Sequence, residues 1–116
     1  MICLPWARAF NNPYVYTNMH FINALKQRAV GEIVAYTRNR FPTVEAICVF
    51  GSAVTEYCTP HSDIDFVLYG NATAAYRPHV DGEVLDYQWA STIPNNSKLR
   101  DEVLREGVVV YAKRDV

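Results

Sequence analysis

The sequence has little of what marks a secreted, membrane-spanning or nucleic-acid-coating protein. Cysteine is scarce: Cys3, Cys48 and Cys58 show no metal-ligand spacing, and their odd number argues against a disulfide framework and for a reducing compartment. No run approaches the roughly 18 apolar residues of a membrane span. Met1 to Trp6 is too short and too broken by Pro5 for a secretory signal, so a cytoplasmic location is expected. A net charge of −1 leaves no basic sheath, which argues against tracking along an extended nucleic-acid backbone. Internal repeats, low-complexity tracts and linkers are also missing. What remains is a chain of 116 residues, half of them hydrophobic and a fifth charged, which suits one globular domain with a single modest core.

Residues 1–17 have no clear period and contain Pro5 and Pro13; they are expected to form an irregular arm, with the domain spanning 18–116. Trp6, Phe10, Tyr14 and Tyr16 could instead form a partner-binding patch, and Met19 offers a second translation start. From about Asn18 to Asn39 the positions Ile22, Leu25, Ala29, Ile33 and Tyr36 recur at helical spacing, with Asn18 as N-cap and Pro42 as stop. Val44 to Phe50 is nearly all apolar, as in a strand covered on both faces. Gly51-Ser52 ends it, and a helical turn is expected through Val54 to Tyr57. Asp63 to Tyr69 alternates, with Ile64, Phe66 and Leu68 on one side. A turn at Asp81-Gly82 would return the chain, hairpin fashion, to a strand over Glu83 to Trp89. There Leu85, Tyr87 and Trp89 share one face, and Val84, Asp86 and Gln88 the other. Asn95, Asn96 and Ser97 offer caps for a last helix through Glu106, with Leu99, Val103 and Leu104 inward. Gly107 is placed as its C′ residue and Val108 to Ala112 as the final strand.

The chemistry concentrates at Gly51-Ser52, ten intervening residues, and Asp63-Ile64-Asp65. On a strand Asp63 and Asp65 project together while Ile64 points away. Folding alone gives no reason to keep two like charges that close. A divalent cation removes the repulsion, and hard oxygen ligands favour Mg²⁺. Gly51 permits close backbone approach, and Ser52 can set its hydroxyl and N–H on phosphate oxygens. Asp86, on a neighbouring strand, can complete a metal site and accept the proton of an attacking hydroxyl.

This pattern resembles the DNA polymerase β-like nucleotidyltransferase superfamily, and the size points to its minimal members, often encoded beside a helical HEPN partner. The tail from Val103 to Tyr111 also looks like the way such domains end. The resemblance runs from about residue 20 to 112 and implies an α+β nucleotidyltransferase fold, a mixed β-sheet flanked by helices. It also implies ATP as substrate and Mg²⁺ as cofactor, with Gly51 and Ser52 at the phosphates and Asp63, Asp65 and Asp86 as catalytic metal ligands. Several minimal members are antitoxins that transfer AMP to a tyrosine of their HEPN toxin. Larger relatives adenylylate aminoglycosides with the help of an extra helical domain, for which this chain has no room.

Two departures stand against the family pattern. Many minimal members carry an arginine and a second glycine shortly after the Gly-Ser pair, where this chain has Thr55 and Glu56. The connection between the second and third strands is also short, so a helix often found there is expected to be missing. Thr55 and Glu56 motivate one alternative, a non-catalytic module that neutralises a helical partner; another is an aminoglycoside-type adenylyltransferase subunit whose acceptor pocket a second subunit completes. The oligomeric state stays open, a homo-oligomer included. His61 reads as a solvent-facing turn residue, Cys48, Tyr87 and Trp89 as core, and Arg38 and Arg40 as a soluble helix end.

Overall fold

A computed structural model describes residues 15–16 and 18–113 of the chain. The elements are β1 (Val15–Tyr16), α1 (Gln27–Arg40), β2 (Val44–Phe50), β3 (Ile64–Gly70), β4 (Leu85–Trp89), α2 (Lys98–Glu106) and β5 (Val108–Ala112). Short 3-10 turns stand at Met19–Phe21, Gly51–Val54 and Ala90–Thr92. The strands form one sheet in the order β1-β5-β2-β3-β4. Every neighbouring pair is antiparallel except β3 and β4, which run parallel. The result is the expected mixed sheet with a helix on each face.

Alternation within the strands decides which helix each residue meets. Ile47, Val49, Ile64, Phe66 and Leu68 face α1, where they pack on Ala29, Val30, Ile33 and Val34. Ala46, Cys48, Phe50, Val67 and Tyr69 face the other way, onto Val103 and Leu99 of α2. A bulge in β5 beside Ile47 and Cys48 leaves Val110 and Tyr111 both on the α1 side. Cys48 is core, as expected, and burial pushes its thiol up to about 12, so it holds its proton throughout the physiological range. No helix among the described residues is long and apolar enough to cross a membrane.

The segment before α1 differs from the expected long helix. Asn18 caps no α-helix: it precedes only the 3-10 turn Met19–Phe21, at φ 57° and with no side-chain cap, and its amide donates to Val109 O at 3.0 Å. The helix begins only at Gln27, because Asn23 gives its hydrogen bonds to the 53–55 segment instead of to a helical turn. Leu25, placed inward by helical period, is consequently turned out to solvent. Residues 15–16 of the expected irregular arm form the short edge strand β1. Trp6, Phe10 and Tyr14 of the aromatic patch lie outside the described residues.

The connection from β3 to β4 is a crossover, not a hairpin. Gly82 does make a turn, at φ 78°, but the strands it serves are parallel, so residues 71–84 must carry the chain back to the starting end of the sheet. They do so without a helix, as the short connection leads one to expect. Tyr76 anchors the crossover to the core: its hydroxyl shares a hydrogen bond of 2.8 Å with Thr37 Oγ1, and its ring meets Tyr36, Phe41, Tyr87 and Trp89. Val80 is buried beside it.

Gly107 also differs from expectation. Its φ is −64°, so it is not the left-handed C′ residue of the usual helix stop. Space explains the glycine, since a methyl group there would overlap Cys48 Sγ and Val103 O. Gly107→Ala is expected to cost about 1–3 kcal/mol by overpacking. Gly31→Ala, within α1 and with no atom near the new methyl group, is expected to gain about 0.5–1 kcal/mol. Urea unfolding of the two variants beside the parent chain measures both.

Candidate active site

The site begins where β2 ends. Phe50 leads into Gly51 at φ 73°, a left-handed conformation that glycine adopts without strain. Gly51 is held to glycine a second way, because a methyl group there would meet Asp65 Oδ2 at 2.5 Å. The backbone of the glycine–serine turn and the Asp65 carboxylate are therefore in direct apposition. Gly51–Val54 form one 3-10 turn, three residues earlier than the turn expected over 54–57. Thr55 closes it, donating to Ser52 O from its backbone N at 3.0 Å and from Oγ1 at 2.9 Å. Asn23 braces the same turn from outside, its backbone N on Ala53 O at 2.8 Å and its side chain on Thr55 O at 2.9 Å. Thr55 thus serves as the lock of the turn, and Glu56 next to it is exposed.

The turn ahead of β3 presents the first acid. Thr59 and Ser62 bond each other through Thr59 N to Ser62 Oγ at 2.9 Å and Ser62 N to Thr59 O at 3.0 Å. Asp63 follows immediately and is exposed, as is His61. Asp65 is partly buried on the α2 face of β3 and stands directly opposite Asp86 in the parallel register of β4. Residues level with each other on adjacent strands project to the same face, so Asp86 joins Asp65 rather than opposing it; Asp63, one residue ahead of β3, is near enough for its charge to bear on Asp65. The structure brings all five candidate residues to one end of the sheet.

Electrostatics records the crowding. Asp65 is pushed up to about 6, first by burial, then by the charges of Asp86, Asp63 and Glu102, with a side-chain hydrogen bond to Asp86 also favouring the protonated form. Glu102, on α2, is a fourth acid that periodicity alone did not single out. Its sequence signal is its spacing three residues after Leu99, which puts both on the side of the helix that meets the sheet.

Mg²⁺ can be tested against these residues. The donors are all carboxylate oxygens, the hard ligands this ion prefers. Asp65 carries an unrelieved like-charge burden, and the missing Cβ of Gly51 leaves room beside its carboxylate. The donor set fits a divalent cation, although among the described residues no three His, Cys, Asp or Glu side chains are placed as a ready-made cage.

A pH prediction follows from the pair. The folded Asp65 keeps its proton up to about pH 6, against an ordinary value of 3.8. Between those values the folded chain binds the proton more tightly than the unfolded one, so this residue's contribution to stability grows as pH falls from 6 toward 3.8 and is lost as pH rises through 6. Asp65→Asn is expected to melt higher than the parent in metal-free buffer at neutral pH, with the gap shrinking on acidification. Melting curves of the two proteins across this window check it.

Among curated proteins no significant match to the chain is found. A family model described as polymerase beta, nucleotidyltransferase matches residues 32–115, a span that holds β2, the glycine–serine turn, all three aspartates and α2. The chain therefore belongs to the polymerase beta nucleotidyltransferase family.

Proposed function

We propose that this protein is an Mg²⁺-dependent adenylyltransferase that moves AMP from ATP to a hydroxyl group on a partner protein. Family membership supports a nucleotidyltransferase-type function. The observation that carries the finer reading is the register of Asp65 with Asp86 beside Gly51, which assembles acids from two strands against a phosphate-holding turn. Asp63, Asp65 and Asp86 would hold Mg²⁺, which when bound neutralises charge at the α-phosphate. Ser52 and the backbone of its turn would grip the terminal phosphates. Asp86, exposed at the edge of the sheet, would take the proton of the acceptor hydroxyl. The acceptor oxygen then bonds to the α-phosphorus as pyrophosphate leaves. Positioning and charge stabilisation, rather than a covalent intermediate on the protein, supply the acceleration.

The acceptor proposed is a small helical HEPN-type toxin, with this chain as its cytoplasmic antitoxin. That part rests on the likeness to minimal family members. The test is transfer of label from α-labelled ATP to a protein co-purified with the chain. Asp63→Asn with Asp65→Asn is expected to lower transfer by about 1,000-fold or more, since several kcal/mol of charge stabilisation is removed. Unchanged transfer by the double variant contradicts the assignment.

A second reading, a non-catalytic module that neutralises the partner by binding, is favoured by one observation. Thr55 is committed to closing the turn and Glu56 is an anion, where many relatives place an arginine and a glycine. Under it the double asparagine variant still protects cells from the partner, and calorimetry detects no Mg²⁺-dependent ATP binding.

A further inference from the structure

Leu25 and Lys26 are reversed relative to what burial of apolar surface would favour. Leu25 is 52 % exposed, whereas Lys26 has no exposed surface. A fully buried lysine is rare, because taking an ammonium from water is costly unless partners replace the solvent. Here Nζ donates to Glu83 Oε1 at 2.7 Å and to Pro60 O at 3.1 Å. The Glu83 side chain keeps 17 % exposure, so the pair is sealed at the lysine end and open at the carboxylate end.

The two partners belong to the two segments that deliver the acids. Pro60 lies three residues before Asp63, and Glu83 lies three residues before Asp86. Between them Ile64 N donates to Val84 O at 2.9 Å, where the parallel pairing of β3 and β4 begins. Lys26 also reaches the third part of the site. Its backbone N donates to Asn23 O at 2.8 Å, and Asn23 is the residue that braces Ala53 and Thr55. One residue thus connects the glycine–serine turn, the approach to Asp63 and the approach to Asp86. An apolar pair of similar volume in place of Lys26 and Glu83 could fill this space with little loss of stability, and often with a gain. What it could not do is hold two chain segments at a defined separation through directed hydrogen bonds.

We propose that Lys26 is a positioning residue for the acid cluster. It sets the spacing between the starts of β3 and β4, and so holds Asp63 and Asp86 beside Asp65. This rests on the reading of the three aspartates as a metal and nucleotide site.

The experiment uses Mn²⁺ as the probe, its binding in the presence of ATP followed by electron paramagnetic resonance, with a melting temperature for each protein. The set is the parent chain, Asp65→Asn, Lys26→Met and the double variant Lys26→Met with Glu83→Leu. Lys26→Met is expected to melt lower and to bind Mn²⁺ about tenfold or more weakly, the scale typical of lost support around metal ligands. The double variant, with both charges gone, is expected to regain melting temperature while Mn²⁺ affinity stays weak. Recovery of Mn²⁺ affinity in the double variant overturns the positioning role, since stability alone would then explain the loss. If the Lys26 variants do not fold, Glu83→Ala and Glu83→Gln decide. Glu83→Gln, which keeps an acceptor for the ammonium, is expected to bind Mn²⁺ like the parent and Glu83→Ala about tenfold more weakly; parent-like affinity in Glu83→Ala overturns the inference. Absence of Mn²⁺ binding by the parent chain, or equal binding by Asp65→Asn, refutes the metal-site reading itself and not the role of Lys26 alone.

Discussion

The parallel pairing of β3 with β4 sets Asp65 level with Asp86, and the rest of the site is arranged around that register. Burial and the neighbouring Asp86 charge together make Asp65 resist ionisation. Gly51 adds a second constraint by bringing its backbone to where only an absent Cβ leaves room for the Asp65 carboxylate. Asp65 is therefore the hub of the site: Gly51, just past β2, lies against it, Asp86 of β4 shares a side-chain hydrogen bond with it, and the charges of Asp63, just ahead of β3, and Glu102, on α2, bear on it. A fold shaped by stability alone would relieve that crowding by replacing one of the acids. That crowding is the physical ground on which the proposed cation site rests.

Parallel neighbours cannot be joined by a tight turn, so the register requires a crossover. Here it is made by an irregular segment that is pinned by side chains. Tyr76 supplies most of the anchorage, with its ring among four aromatic neighbours and its hydroxyl on Thr37 in α1. The Tyr87 hydroxyl donates back to Tyr76 O at 3.2 Å, which ties β4 to the segment that delivers it. The α1 face of the sheet thus holds the strands in register, while the α2 face carries the acids. This division explains why Leu85, Tyr87 and Trp89, partly buried, pack against the core although β4 is an edge strand.

Much of this was legible in the residues themselves. Period-two alternation placed Asp63 with Asp65 and separated Asp86 from Leu85, Tyr87 and Trp89, because a half-buried strand must alternate. The glycine before Ser52 was legible for the same kind of reason, as a strand end needing unusual backbone. Other features were hidden because they depend on distant partners. Asn18 looks like a helix cap, but its amide is used by Val109, far along the chain. Asp81-Gly82 looks like a hairpin turn, yet local sequence cannot tell whether the strand that follows lies parallel or antiparallel to the one before. The burial of Lys26 runs against hydropathy, and nothing in the pattern around it announces Glu83 or Pro60 as partners. The glycine at 107 was legible as a glycine position but for another cause, close packing on Cys48 instead of a left-handed turn.

The measurement that tests the account most directly is the titration of the Asp65 side chain, followed by carbon-detected nuclear magnetic resonance in metal-free buffer, in the parent chain and in Asp86→Asn. If the two carboxylates face each other across the strands, Asp65 titrates near 6 in the parent. In Asp86→Asn its midpoint moves down toward 3.8 without reaching it, because burial remains as the larger cause. A parent midpoint already near 3.8, or one near 6 that ignores the loss of Asp86, would show that the acids do not converge and would contradict the account.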